Sequence, residues 1–188
     1  MIPLKPLFGA LARVIVLYIA LLAVWPVVGG LYSTAFRAGG QAVFGSFGSD
    51  GVVKFRAANA SVSGGVHENK MYLWNRRNPN AVFTMTNSTR YVGYVPTILV
   101  VALVVATPVS WGRRGWALVW GMTIVHCFIA IRLGVVLLGA FCGDAPWRIW
   151  QPTAFWQSVL ASTGEGLSNS PPISFIVPVL IWLVVTVR

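Results

Sequence analysis

The chain has 188 residues, of which 56% are hydrophobic and 10% are charged, and its mean hydropathy is +0.73. These values lie outside the range of soluble domains, so the lipid bilayer is an expected partner. The net charge of +10 comes from basic residues that stand singly or in pairs, without a basic helix face or an interleaved aromatic stripe, which argues against a nucleic-acid-binding protein. The composition predicts an integral membrane protein.

The first segment, residues 1–30, contains an apolar run from Leu7 to Val28 that is interrupted only by Arg13. This run is long enough to cross about 30 Å of hydrocarbon, and it predicts a retained transmembrane helix. The second segment, residues 31–91, is predicted to lie outside the cytoplasm. It opens with Leu31–Phe47, whose aromatic residues follow a loosely helical pattern typical of an interfacial helix.

Three short runs of β-branched and aromatic residues follow, and turn sequences rich in Gly, Asn and Pro separate them. The runs are Val52–Arg56, Met71–Asn75 and Ala81–Thr86. They predict a small antiparallel sheet of about three strands. Because so few strands bury little apolar area, the sheet must pack on another part of the protein.

The third segment, residues 92–140, contains two apolar runs separated by the basic turn Trp111–Trp116. No charged residue occurs from Val92 to Ser110, and Arg132 is the only one from Trp116 to Leu138. The pattern predicts a transmembrane helical hairpin.

Residues 141–171 are predicted to form an outer aromatic loop, and residues 172–188 the last transmembrane helix. In the loop, Trp147, Trp150 and Trp156 are typical of an aromatic belt at the membrane surface. The predicted fold is an all-α transmembrane bundle of about four helices with a small antiparallel β extracytoplasmic subdomain.

The basic residues of the short loops and chain ends predict the orientation of this bundle. Lys5, Arg13, Arg113, Arg114 and Arg188 all fall on one side of it, which the positive-inside rule assigns to the cytoplasm. Both termini are therefore expected to be cytoplasmic, in a multi-pass protein of a prokaryotic inner membrane.

Arg132 is the main candidate site residue. It lies in the predicted outer leaflet, where a charge costs about 2–3 kcal/mol, so a function such as anion binding is expected. The alternative is that its long side chain snorkels to the headgroups. Its own helix face offers no counter-charge, so the polar partner is expected to be Tyr91, Asp144, Glu165 or backbone near the head of the second span.

His126 and the two cysteines give further hypotheses. His126 precedes Arg132 by six residues, so it does not lie on the helix face of Arg132. The leading expectation is that the protein holds no cofactor and no metal; one hypothesis instead makes His126 the ligand of a pigment or haem. Cys127 and Cys142 are too far apart along one helix to form a disulfide. Cys142 is kept as an alternative nucleophile.

The hairpin resembles the core of the exosortase and archaeosortase family, whose members are multi-span transpeptidases that process C-terminal sorting signals. In that family a Cys-(Ser/Thr)-Gly motif precedes a basic cytoplasmic turn, and an arginine follows about forty residues after the cysteine. Here Tyr91-Val92-Gly93 takes the place of the motif, beside Arg90 and 41 residues before Arg132. A tyrosine without a nearby base is a poor replacement for a thiolate, so no catalytic residue is assigned.

The leading hypothesis is a non-catalytic, exosortase-like membrane protein that serves as an assembly or binding subunit, with Arg132, Tyr91 and Arg90 as binding residues. Its expected partners are the bilayer and other membrane-protein subunits. One alternative is a divergent cysteine transpeptidase or protease that uses Cys142. Another is an accessory subunit of a photosynthetic or respiratory complex, with a cofactor at His126.

Overall fold

The computed structural model describes residues 4–58, 68–142, 145–169 and 172–187. Within them the chain forms six α-helices and four β-strands, with a π-helical turn at Arg90–Tyr94. The helices are α1 (Leu4–Ala23), α2 (Trp25–Phe44), α3 (Val95–Ala106), α4 (Trp111–Ala140), α5 (Ala154–Asn169) and α6 (Ile173–Val187). The strands are β1 (Ser46–Phe47), β2 (Gly51–Ala57), β3 (Glu68–Asn75) and β4 (Asn78–Ser88).

The predicted all-α bundle of four transmembrane helices is wrong. Among the described residues, α4 is the one helix long and apolar enough to cross a membrane, and a second span arises only if the bent pair Gly9–Ala23 and Trp25–Phe44 counts as one. Helices α3 and α6 have 12 and 15 residues. With the π-helical turn that leads directly into it, α3 becomes a 17-residue helix, Arg90–Ala106, so the two helices are only about 25 and 22 Å long, against a hydrocarbon core of about 30 Å.

Prolines explain why the apolar runs are longer than the helices. Pro26 lies in the first turn of α2, where its missing N–H costs no hydrogen bond, and so the run Leu7–Val28 divides between two helices. Helix α3 ends before Thr107, whose backbone is extended because Pro108 follows it. The run Val92–Ser110 is therefore not one continuous helix.

The chain divides into two compact units. The helical unit consists of Met1–Val28, Tyr91–Phe128 and Pro171–Arg188. At its centre is α3, most of whose residues are buried and which packs against α1 and α6. The Tyr94 hydroxyl donates a hydrogen bond of 2.7 Å to the Leu21 carbonyl of α1, and Trp182 Nε1 of α6 donates one of 2.7 Å to Thr107 Oγ1.

The sheet unit consists of Gly29–Arg90 and Ile129–Ser170. Its strands are antiparallel and lie in the order β1-β2-β3-β4, and the three runs expected to be strands fall within β2, β3 and β4. Alternate residues of β2 and β3 point to one face and are buried there, as a period of two requires.

The core of the sheet unit lies between this inner face and the end of α4. It contains Val53, Phe55, Met71 and Leu73 from the sheet, and Leu133, Leu137 and Phe141 from the end of α4 and the residue after it. Phe36 and Phe44 of α2 pack against the same cluster. The sheet thus takes its support from two helices, because its own strands are too few to enclose a core.

Helix α5 lies within the segment that was predicted to be an outer aromatic loop. Trp147, which precedes it, packs against the sheet. Its ring stacks on Phe83 with 4.8 Å between centroids, and its Nε1 donates a hydrogen bond of 3.0 Å to the Ala140 carbonyl. Trp150 and Trp156 are 43% and 51% exposed.

Candidate functional site

The outer face of the sheet, on the side opposite its core, is the first part of the candidate site. Cross-strand register gathers nine residues there, in three rows that each run from β2 through β3 to β4. The rows are Val52–Trp74–Val82, Lys54–Tyr72–Thr84 and Arg56–Lys70–Thr86. The face therefore presents three cations beside two aromatic rings.

One of these rows holds an unfavourable pair of charges. Arg56 stands directly opposite Lys70, and cross-strand neighbours of that kind have Cβ atoms about 5 Å apart. In the described part of the chain, neither residue forms an ion pair or a side-chain hydrogen bond, and neither does Glu68 on the same face. Like charges opposite each other destabilise a sheet, and an anion bound between them removes that cost.

The edge of β2 is closed by a side chain of α2. Strand β1 is only two residues long and pairs with Gly51 and Val52 alone. Beyond it, Gln41 Nε2 donates a hydrogen bond of 3.1 Å to the Val53 carbonyl, and Gln41 Oε1 accepts one of 3.1 Å from the Phe55 N–H. The primary amide of Gln41 thus replaces the backbone of a neighbouring strand.

The opposite edge of the sheet is β4, and its composition differs from that of a protected edge. β4 has 11 residues, none of them charged, and it pairs with β3 alone in the described part of the chain. Proteins usually blunt an edge strand with lysine, with an inward-pointing charge, with a short length or with a cover. Pro79, near its start, and the register shift that leaves residues 79–81 unpaired with β3 are the two such devices in β4. The β4 edge is therefore open to pairing with another strand.

Arg132 lies in the sheet unit, where it is only 4% exposed. Its Nε donates a hydrogen bond of 2.7 Å to the carbonyl oxygen of Leu167, in the last turn of α5. Burial excludes the snorkelling alternative, and a backbone carbonyl that the sequence did not single out is one of its partners. The side chains of Asp144 and Glu165, which were expected as partners, lie outside the described residues.

The other predicted binding residues lie at the π-helical turn. Tyr91 belongs to the helical unit and is 62% exposed, and its carbonyl accepts a hydrogen bond of 3.4 Å from Ser174 Oγ. Arg90 is half-buried and belongs to the sheet unit.

His126 lies on the exposed surface of α4. The distance between its Nδ1 and the Met122 carbonyl is 2.7 Å, so Nδ1 is the donor of this hydrogen bond. Among the described residues no group of three or more His, Cys, Asp and Glu side chains is arranged to hold a metal ion. A pigment or haem at His126 remains a prediction.

The two cysteines differ in their exposure. Cys127 is exposed on α4, and Cys142 is partly buried just beyond the end of this helix. Burial raises the pKa of the Cys142 thiol, so less of it is ionised at neutral pH than in a free cysteine. A reactive cysteine requires the opposite shift.

Sequence reasoning missed both Gln41 and the charged pair on the outer face. The alternation of Lys54 and Arg56 was a usable signal, since residues two apart in a strand share a face. The register that brings Lys70 opposite Arg56 was not readable, because it arises only when β2 and β3 pair in the folded sheet. A glutamine in a helix gives no local sign that it will cap a strand.

Comparisons with protein families, with characterised proteins and with solved structures find no match to this chain.

Proposed function

We propose that the protein is a membrane-anchored, non-catalytic assembly subunit that accepts an extended, acidic segment of a partner protein as an added strand beside β4. The anchor is α4, which is 30 residues long. Only a third of its most apolar 18-residue stretch is buried within the protein. In water, such an exposed apolar helix surface is unstable, whereas lipid solvates it.

The difference between the two edges of the sheet carries this proposal. On the β2 edge Gln41 binds the Val53 carbonyl and the Phe55 N–H, whereas the β4 edge is long and uncharged and pairs with β3 alone in the described part of the chain. Strand addition uses such an edge, because the main chain of the ligand supplies hydrogen bonds while alternate side chains supply specificity. A partner strand also removes the aggregation risk that an open edge carries.

The charge of the outer face selects the kind of strand. A strand added to β4 lies about 9–10 Å from the backbone of β3, two strand spacings away. A glutamate opposite Thr86 on the added strand then reaches toward Lys70, since the two side chains together span this distance. The like-charged pair of Arg56 and Lys70 makes an acidic partner more favourable than a neutral one.

A binding experiment with defined peptides tests the proposal. The full-length protein in detergent micelles is titrated with a fluorescent peptide of alternating valine and glutamate, and anisotropy reports binding. We expect saturable binding, and at least about tenfold weaker binding to Lys70→Glu, because one attraction becomes a repulsion. Arg113→Glu, which makes the same change of charge in the helical unit, is the matched control and should bind like the parent.

A second peptide separates strand addition from simple charge attraction. Methylation of alternate backbone nitrogens keeps the charge but removes the N–H groups that a strand needs, so this peptide should not bind. Equal binding of the two peptides would contradict the proposal. Tighter binding of a single-stranded oligonucleotide, with loss in Lys70→Glu, would also overturn it and indicate a nucleic-acid-binding face.

A further inference from the structure

A groove lies in the helical unit. It has a volume of about 460 Å³, within the range of about 300–1,000 Å³ usual for small ligands. Its walls include Val16 and Leu17 of α1 and Val105 and Ala106 of α3. These side chains are apolar, so the walls suit a hydrocarbon chain.

Two arginines lie at this groove, and one of them is held in position. Arg114 Nη2 donates hydrogen bonds to the carbonyls of Thr107 and Val109, at 3.1 and 3.4 Å, and the guanidinium lies 4.3 Å from the centroid of the Trp111 ring. Its Nε is buried and has no hydrogen-bond partner among the described residues. The guanidinium that lines the groove is thus held in position by its own segment of the chain.

The second arginine is Arg13 of α1. Its side chain is exposed and forms no hydrogen bond or ion pair in the part of the chain that the structure describes. All four acidic residues of the chain belong to the sequence ranges of the sheet unit, so the ranges of the helical unit contain basic residues and no acidic ones. The charge of this groove is therefore not neutralised within its own unit.

The groove lies at one end of the antiparallel pair α1 and α3. At the other end, the Tyr94 hydroxyl donates a hydrogen bond to the Leu21 carbonyl. Going back along α1 from Leu21, first Leu17 and then Arg13 lie nearer to the C-terminal end of α3. The groove therefore has apolar walls along the helices and two cations at their end. This arrangement matches a lipid, whose chain lies in hydrocarbon and whose headgroup lies at the surface.

We propose that this groove binds one anionic phospholipid, with the headgroup phosphate between Arg13 and Arg114 and an acyl chain along the apolar walls. A guanidinium matches the geometry of phosphate oxygens and forms short, charge-assisted hydrogen bonds with them. This inference is independent of the partner strand at β4, since it uses residues of the helical unit alone.

Native mass spectrometry of the full-length protein in detergent tests this inference. Phosphatidylglycerol and phosphatidylcholine with the same acyl chains are titrated in turn. We expect one phosphatidylglycerol per chain, bound at least about tenfold more tightly than phosphatidylcholine. Arg13→Gln should reduce this preference about tenfold, and because Arg13 is exposed and forms no hydrogen bond or ion pair in the described structure, this variant should fold normally.

Two controls make the result decisive. Arg113→Gln removes the same charge from the neighbouring residue, which does not line the groove, and should leave the preference unchanged. Glycerol 3-phosphate carries a similar phosphate without acyl chains and should not compete. Equal binding of the two phospholipids, an equal loss in Arg113→Gln, or competition by glycerol 3-phosphate would overturn the proposal.

Discussion

Arg132 Nε donates a hydrogen bond of 2.7 Å to the carbonyl oxygen of Leu167, and this bond joins α4 to the last turn of α5. The last four carbonyls of a helix have no partner within it, and Leu167 is among them because α5 ends at Asn169. A cation near these carbonyls also interacts favourably with the helix dipole. The buried arginine therefore has a structural role in ending α5.

Replacement of Arg132 by leucine should destabilise the sheet unit. The change leaves the Leu167 carbonyl without this donor, and hydrogen bonds to charged groups contribute about 1.5–3 kcal/mol. Thermal unfolding in detergent and hydrogen exchange of the α5 amides measure the effect. Arg132→Lys keeps the charge but loses the planar guanidinium, so it should recover only part of the stability. If the leucine variant unfolds and exchanges like the parent, the bond has no structural role.

Replacement of Leu137 by alanine should weaken the sheet, although the residue is in a helix. Leu137 is completely buried in the cluster that contains Val53, Met71 and Leu73. Leu→Ala changes at such sites cost about 2–5 kcal/mol, because the cavity adds to the lost transfer energy. Faster amide exchange in β2 and β3 would report it. Ile131→Ala, on the same helix at a site 66% exposed, should have little effect in detergent, and equal effects would contradict the packing described here.

The strands were predictable and the helix ends were not, for different physical reasons. A run such as Val52–Arg56 carries its own period of two, and burial on one face follows from it. Helix ends depend on single residues, such as Pro108, that an average over an apolar run conceals. Helix α5 was missed because its glycines and serines weaken the helical pattern, while Arg132 supplies a hydrogen bond from far along the chain.

In the candidate site too, some features could be predicted from the sequence and others could not. Arg132 was identified because a charge in an apolar run has an energetic cost that the sequence displays. The open edge of β4 depends instead on strand order, and the closed edge of β2 depends on where Gln41 points. Neither property exists until the chain has folded.

Replacement of Gln41 by leucine should open the second edge of the sheet. It leaves the Val53 carbonyl and the Phe55 N–H without these partners, at a cost of about 1–3 kcal/mol for each group that stays buried. We expect lower thermal stability and more self-association, measured by light scattering. Gln41→Glu keeps an acceptor for the Phe55 N–H but loses the donor to the Val53 carbonyl. Its stability should therefore lie between that of the parent and that of Gln41→Leu. Unchanged stability in Gln41→Leu would show that water replaces the amide.

Replacement of Gly121 by leucine should separate α3 and α4 in the helical unit. A Cβ at Gly121 would lie 2.9 Å from Val100 Cγ1, and Val100 is completely buried and stiff at χ1. Overpacking of this kind costs about 1–3 kcal/mol. Gly115→Leu, on the same helix where a Cβ meets nothing within 4 Å, is the matched control. Unfolding temperatures that fall equally in both variants would indicate a general glycine effect.

The reactivity of Cys142 separates the assembly hypothesis from the cysteine-enzyme hypothesis. Burial raises the pKa of this thiol, so at a given pH less thiolate is available than in a free cysteine. In a Cys127→Ala background, the rate of alkylation by iodoacetamide should therefore reach its midpoint at a higher pH in the folded protein than after denaturation.

The raised pKa of Cys142 also makes the stability of the protein depend on pH. The folded state holds the thiol proton more tightly than the unfolded state does. The contribution of Cys142 to the free energy of unfolding is therefore complete below the pKa of the unfolded state, and it is lost as the pH rises through the pKa of the folded state. Cys142→Ala should accordingly lessen the fall of stability at alkaline pH, and an alkylation midpoint below that of the denatured chain would instead indicate an activated nucleophile.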